Sequence, residues 1–548
     1  MSLHPADERT IPEETVRVAR AAFPKGSVYM RMRDVLGPIY TDGDFAALFP
    51  RRGQPAESPA CLALVTIMQF AEGLPDRQAA DAVRSRIDWK YALGLELTDP
   101  GFDASVLSEF RSRLLRGDPT QVLFERMLEV VRAHNLLKER GRARTDSTHI
   151  LAAIRTLNRL ECVGETLRHA LNTVATVAPA WLQSWVPSVW FDRYSRRFEE
   201  YRLPPGKAER SALAAQIGSD GATLLAAIYA PDAPDWLRRI AAVDTLRQIW
   251  VQQFIVRADT LEWRTADELP PSALLIRSPY DGDARYSKKR QTEWTGYKVH
   301  LTETCEEALP SLITNVETTD ATTTDYAMTP VIQAHLEQRD LAPGAHLVDT
   351  GYMSADHLVT SRAQGIDLVG PVTLEKSWQA QADEGFDSTA FVIDWEAQQA
   401  RCPQGHLSQT WQVRSGSRTP LLHFRFSRTA CRACPVRTNC TQSATLPRAL
   451  TIYPQPQYEA LQEARRRQQT AEFWQQYGRR AGMEGTMAQG NARADLRHAR
   501  YIGLAKTHLQ HLCTALGLNV LRLGAWLADV KPHTTHRSAF AALAPVAA

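Results

Sequence analysis

The order of strand-like and helix-like segments over residues 141–375 limits most strongly what this chain can fold into. Five runs have the alternation or β-branched content of strands: residues 142–154, 294–305, 312–319, 345–349 and 366–372. Residues 325–336 have the apolar spacing of a helix between the third and fourth of these runs. The order strand, strand, strand, helix, strand, helix, strand predicts a mixed sheet flanked by helices, and therefore an α/β fold.

Two aspartates occupy unusual positions on these strands. Asp146 lies inside the first run, where most strand interiors exclude a carboxylate, and Asp349 ends the fourth run. Two acids so placed could converge at one end of a sheet. A single Asp at a strand end is more often a cap or turn residue, so neither acid indicates a site alone.

A third acid, Glu484, is the one carboxylate in a basic stretch over residues 477–494. If this stretch is helical, Tyr477, Arg480 and Glu484 follow three- and four-residue steps and share one face. The alternative is an ordinary solvated helix with a Glu–Arg pair. The many surrounding bases and the two strand aspartates favour a site, because a metal centre requires several converging acids.

The charge of the chain is distributed unevenly. Residues 401–548 contain 20 basic and 6 acidic residues, a net charge of +14, whereas the total for all 548 residues is +3. A basic block that retains helical apolar patterning is a candidate surface for a polyanion such as DNA. The alternative is a charged surface that only maintains solubility.

Four of the eight cysteines are grouped. Cys402, Cys431, Cys434 and Cys440 have the spacing C-x28-C-x2-C-x5-C, and His406 lies close to the first. In a reducing compartment such a group indicates a tetrahedral zinc site more than disulfides. The sequence therefore predicts one structural Zn²⁺, with His406 as a substitute ligand. A thiol-rich loop without metal is the alternative.

Length and patterning predict several units, since 548 residues exceed one compact core. Residues 58–116 contain helices joined by a tight turn, which fits either a helix-turn-helix module or a plain helical bundle. The predicted units are an N-terminal helical domain (1–140), an α/β core (141–375) with a helical insertion (about 155–266), a cysteine insertion (376–450), a C-terminal catalytic helix region (451–530) and a tail (531–548).

No apolar run approaches the roughly 18 residues of a membrane span, and the N-terminal residues lack a signal-peptide core. We therefore expect a cytoplasmic protein without a membrane partner.

The three acids resemble the triad of the DDE transposases. Asp146 in TDSTH, Asp349 in LVDTGY and Glu484 match that pattern, and Tyr477-x2-Arg480-x3-Glu484 resembles the Tyr-Arg-Glu-Lys signature of one branch of bacterial insertion-sequence transposases. The segments EWTGYKVHLTE, HLVDTGY, AGMEGTMAQG and RYIGLAKTHLQH, with the cysteine cluster, are similar to the insertion-sequence eleven-eighty-two group. The chain departs from the branch signature at one position, where Asn491 stands in place of the Lys.

This resemblance implies a ribonuclease-H-like core and a transposase that binds terminal inverted repeats, cuts there and joins the ends to target DNA. Two Mg²⁺ ions would be held by Asp146 as the bridging ligand, with Asp349 on one ion and Glu484 on the other. The expected DNA contacts are those of Tyr477, Arg480, Arg493, Arg497, Arg500 and Lys506, with Arg493 or Lys506 replacing the signature Lys.

The expected partner is double-stranded DNA, with the protein acting as a nucleoid-associated homodimer. Two alternatives remain open: a nuclease of the same fold that does no joining, and an inactive transposase relic that represses by binding DNA.

Overall fold

Helices form the N-terminal part of the molecule. The structure, a computed structural model, describes residues 2–3, 10–116, 119–382, 384–415, 419–530 and 543. The first helices are α1 (Glu13–Ala22), α2 (Val28–Leu36), α3 (Pro59–Glu72), α4 (Asp76–Ser85), α5 (Ile87–Leu93), α6 (Ser105–Leu114) and α7 (Pro119–Ala133). Ser58 caps the start of α3, and Gly73 ends it at a φ of +70°.

The first strand, β1 (Arg142–Leu151), leads into a large insertion with a hydrophobic core of its own. The insertion consists of α8 (Arg159–Val177), α9 (Pro179–Gln183), α10 (Val189–Tyr194), α11 (Lys207–Ile228), α12 (Ala241–Gln253), β2 (Phe254–Arg257) and β3 (Thr260–Trp263). The β2–β3 hairpin was not predicted, because its four-residue strands are too short to show a period.

The main sheet is mixed. Its further elements are β4 (Arg285–Lys289), β5 (Thr292–Thr304), β6 (Ile313–Asp320), α13 (Asp325–Gln338), β7 (Ala345–Leu347), α14 (Ala355–Ala363) and β8 (Asp367–Val369). Strand β5 is antiparallel to β1, β4 and β6, whereas β7 is parallel to both β1 and β8. The order β6-β5-β1-β7-β8 therefore places β1 in the middle, and the predicted α/β fold is confirmed.

A small β-rich segment follows β8 and contains the four grouped cysteines. Its elements are α15 (Trp378–Gln381), β9 (Val392–Asp394), β10 (Gln399–Arg401), β11 (Ser408–Arg414), β12 (Leu421–Phe426), α16 (Arg428–Ala433), α17 (Arg437–Cys440) and β13 (Ala449–Ile452). Strands β11, β12 and β13 pair antiparallel, and Phe424 and Phe426 are buried with Phe391 in its core.

The last helices of the described structure complete the core of the molecule. They are α18 (Gln455–Gln468), α19 (Ala471–Gly478), α20 (Gly482–Ala494) and α21 (Leu504–Trp526). Helix α21 is buried over most of its length, against α3 and β6. At the closest approach a Cβ on Gly517 would lie 2.7 Å from the backbone nitrogen of Ala71, so only glycine fits there.

Short 3-10 helices occupy Asp42–Leu48, Glu200–Arg202, Asp235–Arg239, Ala266–Glu268, Thr350–Tyr352, Ser388–Ala390 and Arg479–Ala481. Within the described ranges, no helix is both long and apolar enough to cross a membrane. The predicted tail, residues 531–548, lies outside the described residues except for Leu543.

Candidate active site

Asp146 lies in the central strand of the main sheet. Its residue position on β1 pairs with Leu301 of β5, and its side chain is 19% exposed. Burial raises the pKa of this carboxyl group, and the nearby charge of Asp349 raises it further. The Arg480 charge and the backbone N–H of Ser147 counteract that rise.

Asp349 lies just beyond the carboxyl end of β7, the parallel neighbour of β1. It caps the 3-10 helix that follows, because its carboxylate accepts the backbone N–H of Thr350 at 2.7 Å. Its side chain is nevertheless 46% exposed, so the cap leaves carboxylate surface open to solvent.

Glu484 lies in the first turn of α20 and is exposed. The stretch around it is helical, but not as one uninterrupted α-helix. A 3-10 turn at Arg479–Ala481 separates α19, which carries Tyr477, from α20. Tyr477, Arg480 and Glu484 therefore do not lie on one continuous α-helix. The predicted common face holds only approximately, because a 3-10 turn has a different number of residues per turn.

One guanidinium links the three acids electrostatically. Arg480 donates to Asp146 at 2.7 Å and lies 3.9 Å from Asp349. Burial alone would lower the pKa of Arg480, but the charges of Asp146, Asp349 and Glu484, with the phenol of Tyr477, raise it overall. The structure thus brings Asp146 and Asp349 to one cation and leaves Glu484 as a more distant neighbour.

A buried ion network positions α20 against β1. Glu303 of β5 is fully buried, and its carboxylate contacts Arg144 at 2.6 Å and Arg522 at 2.6 Å. Thr486 donates to the same carboxylate at 2.7 Å. A Cβ on Gly482 would lie 2.0 Å from the Arg144 guanidinium, so α20 begins on a glycine that admits this arginine. The sequence did not predict this network, because Glu303 lies between two threonines near the end of β5 and nothing in that local pattern indicates its burial.

A metal site is not formed in this arrangement of side chains. Among the described residues, no group of three or more His, Cys, Asp or Glu is placed to hold a metal ion. The donor types of Asp146, Asp349 and Glu484 suit a hard divalent cation.

The predicted DNA contacts other than Arg480 fall into two groups. Arg493, Arg497 and Lys506 are exposed, and the Arg497 carbonyl accepts the backbone N–H of Leu151 at 2.8 Å, which fixes this residue beside the end of β1. Two others are involved in packing. Tyr477 stacks on a buried phenylalanine of α19, and Arg500 lies over the Phe70 ring at 4.9 Å.

A further acid beside the site, Asp325, was not predicted. It is the first residue of α13 and accepts a hydrogen bond from Ser147 at 3.0 Å and one from Lys298 at 3.1 Å. Lys289 lies 3.8 Å from its other oxygen. The sequence offers only the α13 capping pattern as a signal, since Asp at a helix start is ordinary.

The four grouped cysteines share one small cavity. Cys402, Cys431, Cys434 and Cys440 line it together with His406, and the cavity volume is about 30 Å³. Burial raises the pKa of Cys440 to about 11, and the other three thiols add to that rise. The shared cavity fits the predicted grouping. The predicted zinc site is not confirmed, because these thiols are not placed as metal ligands in the described structure.

Two segments of the chain match transposase families. Residues 401–524 match the family described as "Transposase DDE domain", and residues 17–113 match "Transposase domain (DUF772)". The first match includes Glu484 and the cysteine cluster, and the second covers most of the N-terminal helices. No curated protein and no solved structure matches the chain.

These matches support a DNA transposase in general terms. A DDE domain implies a ribonuclease-H-like core, a DNA substrate and the use of a divalent metal. Neither match extends over Asp146 or Asp349, so the placement of these two acids depends on the geometry described above.

Proposed function

We propose that this protein is the transposase of a bacterial insertion sequence, of the Tyr-Arg-Glu-Lys branch and similar to the insertion-sequence eleven-eighty-two group. It binds the terminal inverted repeats of its element, cleaves there and joins the ends to target DNA. The observation that carries the proposal is Arg480, whose guanidinium donates to Asp146 at 2.7 Å and lies 3.9 Å from Asp349. Two acids from separate strands therefore meet at one basic group, and Glu484 follows Arg480 four positions later in the chain.

The three acids are the groups that would hold two Mg²⁺ ions. When bound, Mg²⁺ activates the attacking oxygen and stabilises the leaving oxygen of a phosphodiester, so no protein nucleophile is required. Partial burial and the Arg480 contact fix the orientation of Asp146, while Asp349 and Glu484 retain exposed carboxylate surface. The chain thus offers oxygen ligands on a rigid strand, a strand end and a helix.

Basic and aromatic groups next to the acids would hold the DNA backbone. Arg480 presents a charged fork suited to a phosphate, and Tyr477, stacked in α19, presents a hydroxyl to the same region. Arg493, Arg497 and Lys506 are exposed and continue the basic surface from α20 to α21. Positive charge here would offset the repulsion between carboxylates and a polyanion.

The N-terminal helices are proposed to read the terminal repeat. Helix α3 is buried at most positions and cannot enter a groove, whereas α4 exposes Arg77, Gln78 and Arg84 on one side. Amide and guanidinium groups of this kind read base edges in the major groove. We propose that two copies bind the two ends of the element as a homodimer at the bacterial nucleoid.

The cysteine cluster is proposed to bind one structural Zn²⁺. Four thiols and His406 around one cavity of about 30 Å³ support this proposal. The role would be structural, because the segment lies between Asp349 and Glu484 in the chain and stabilises the connection between them.

The test of the function is substitution of each acid. Asp146→Asn, Asp349→Asn and Glu484→Gln are each expected to abolish Mg²⁺-dependent cleavage of DNA that carries the element's ends, with binding of the ends retained. Glu307→Gln is the matched control, since Glu307 pairs with Arg479 on the surface outside the site. Wild-type cleavage by any of the three variants would remove that residue from the site.

A second assay separates a transposase from a nuclease. Precut ends supplied with target DNA should be joined by the wild-type protein. Cleavage without joining would indicate a nuclease of the same fold, and binding with neither step would indicate a DNA-binding repressor.

A further inference from the structure

The hairpin of β4 and β5 has three consecutive basic residues at its tip. Lys288 and Lys289 end β4, and Arg290 begins the turn with a φ of +57°. All three side chains are exposed. Lys288 is paired with Glu293 across the hairpin at 2.6 Å, whereas Lys289, on the opposite face, is not.

The tip of the hairpin reaches the same carboxylate as the part of β5 that pairs with β1. Lys289 pairs with Thr292, while Lys298, six residues further along β5, pairs with His149 of β1. An extended strand would cover about 20 Å over six residues. The ammonium groups of Lys289 and Lys298 nevertheless lie 3.8 Å and 3.1 Å from the carboxylate of Asp325. The two long side chains therefore converge on one acid from separate positions along the hairpin.

Gly296 lies between the tip and the part of β5 that pairs with β1. Its φ is +155°, and a Cβ there would lie only 2.1 Å from the carbonyl oxygen of Ile150. A side chain at this position would separate β5 from β1. Glycine thus allows close contact between β5 and β1 at the base of the hairpin.

The carboxylate that Lys289 approaches lies beside both catalytic aspartates. Asp325 accepts from Ser147, the residue after Asp146. A Cβ on Gly351, two residues after Asp349, would lie 3.1 Å from the same carboxylate. Asp325 therefore connects Lys289 to the strand of Asp146 and to the turn after Asp349.

Lys289 remains available to a ligand. Its side chain is 62% exposed, whereas Lys298, which also contacts Asp325, is 12% exposed. Asp325 already receives hydrogen bonds from Ser147 and Lys298. The ion pair of Lys289 with Asp325 is longer than a hydrogen bond. The Lys289 ammonium can therefore bind another anion, and Asp325 keeps its hydrogen bonds from Ser147 and Lys298.

We propose that Lys289 contacts a DNA phosphate next to Asp146 and Asp349, so that the β4–β5 hairpin supplies a cation to the DNA-binding surface. This deepens the proposed function and depends on it. The DNA backbone would be held by Arg480 from the C-terminal helices and by Lys289 from the hairpin.

The experiment measures binding of a fluorescein-labelled duplex of random sequence by anisotropy, in EDTA and over a series of KCl concentrations. The full-length variants are Lys289→Ala, Lys289→Arg and the matched control Lys288→Ala. Loss of one phosphate contact should reduce the slope of log affinity against log salt by about 0.9 and weaken binding about fivefold at ~0.15 M salt. Lys289→Arg and Lys288→Ala should bind as the wild type does.

Thermal melting of the same variants separates binding from folding. The proposal expects Lys289→Ala to melt like Lys288→Ala and to bind more weakly. Unchanged affinity and slope in Lys289→Ala, with or without a lower melting temperature, would overturn the hairpin contact and leave the transposase proposal intact. Failure of the wild-type protein to bind duplex DNA would overturn both.

Discussion

At the scale of single residues, burial distinguishes charged side chains that pack against the protein from charged side chains that remain exposed to a ligand. Arg500 and Lys506 both belong to the basic C-terminal block and look equivalent in the sequence. In the structure Arg500 packs over Phe70. Burial alone would raise the pKa of the half-buried Asp76, but Arg111 lowers it overall, and the charge of Arg500 adds a smaller decrease. Lys506 is exposed. The two residues should therefore respond differently to removal.

We predict that Lys506→Ala weakens DNA binding and reduces the salt slope by about 0.9, with no change in melting temperature. Arg500→Ala should lower the melting temperature, because the contact between Arg500 and the ring of Phe70 is lost. Salt-dependent binding and thermal melting of both variants check this. An unaltered slope for Lys506→Ala would mean that Lys506 lies on a solvated face.

Buried histidines should make the protein less stable in mild acid. His346 of β7 is fully buried beside Thr145, and burial lowers the pKa of His346 to about 4. The unfolded chain has the ordinary pKa of about 6.5, so between those values it binds a proton that the folded state excludes. The contribution of neutral His346 to the free energy of unfolding is therefore fully present above pH ~6.5 and is lost as the pH falls towards ~4.

For His346 alone the loss between pH ~7.5 and pH ~5 amounts to about 2 kcal/mol of the free energy of unfolding. We predict that His346→Gln, which cannot titrate, loses about that much less than the wild type. Urea denaturation at the two pH values measures it. The exposed His134 provides the control, since His134→Gln should keep the wild-type dependence. Identical pH dependence in both variants would rule out His346 as a cause.

At the scale of secondary structure, the placement of Glu484 depends on where α19 ends and α20 begins. The 3-10 turn at Arg479–Ala481 separates the two helices, and the carbonyl of Arg479 accepts a hydrogen bond from Arg144 at 2.5 Å. Arg144 is in turn held by the buried Glu303. A contact with the central sheet therefore sets the direction of α20. This contact joins residues that are far apart in the chain, so no local sequence pattern predicts it.

Two helical glycines provide a matched test of element packing. A Cβ on Gly517 would lie 2.7 Å from the backbone of Ala71, whereas a Cβ on Gly485 meets nothing within 4 Å. We predict that Gly517→Ala destabilises the protein by about 1–3 kcal/mol, because α3 and α21 must separate. Gly485→Ala should be neutral or stabilise by up to about 1 kcal/mol. Comparison of melting temperatures checks this, and equal effects would contradict the close crossing.

At the scale of the whole molecule, the N-terminal helices and the main sheet share one hydrophobic core. That core includes residues of α3 and α7, strands β5 and β6, and helix α21, while the insertion after β1 has a separate core. The helices that we propose to read DNA are therefore held in the same core as α21, the helix that follows α20 in the chain.

The metal content of the purified protein tests the proposal that the cysteine segment binds zinc. We predict about one zinc per chain in protein purified without chelator, and a lower content in Cys434→Ser. Cys162→Ala, a change in the insertion, should retain the metal. Removal of zinc should speed hydrogen exchange between residues 376 and 450. Metal analysis that finds no zinc would overturn the proposal.

The sequence by itself determined the mixed α/β class, and it indicated three acids and a basic C-terminal block. Local patterns suffice for these features, because strand alternation and charge are properties of short segments. The strands around Asp146 and Asp349 were therefore found close to their predicted positions.

Only the tertiary structure decided which side chains surround the acids. Arg480 meets Asp146 from 334 positions away in the chain, and Ser147 meets Asp325 from 178 positions away. The Lys289 contact joins the β4–β5 hairpin to the start of α13, and the Glu303 network depends on burial. These arrangements follow from how the sheet curls and how α21 packs, which depend on long-range contacts that short sequence windows do not contain.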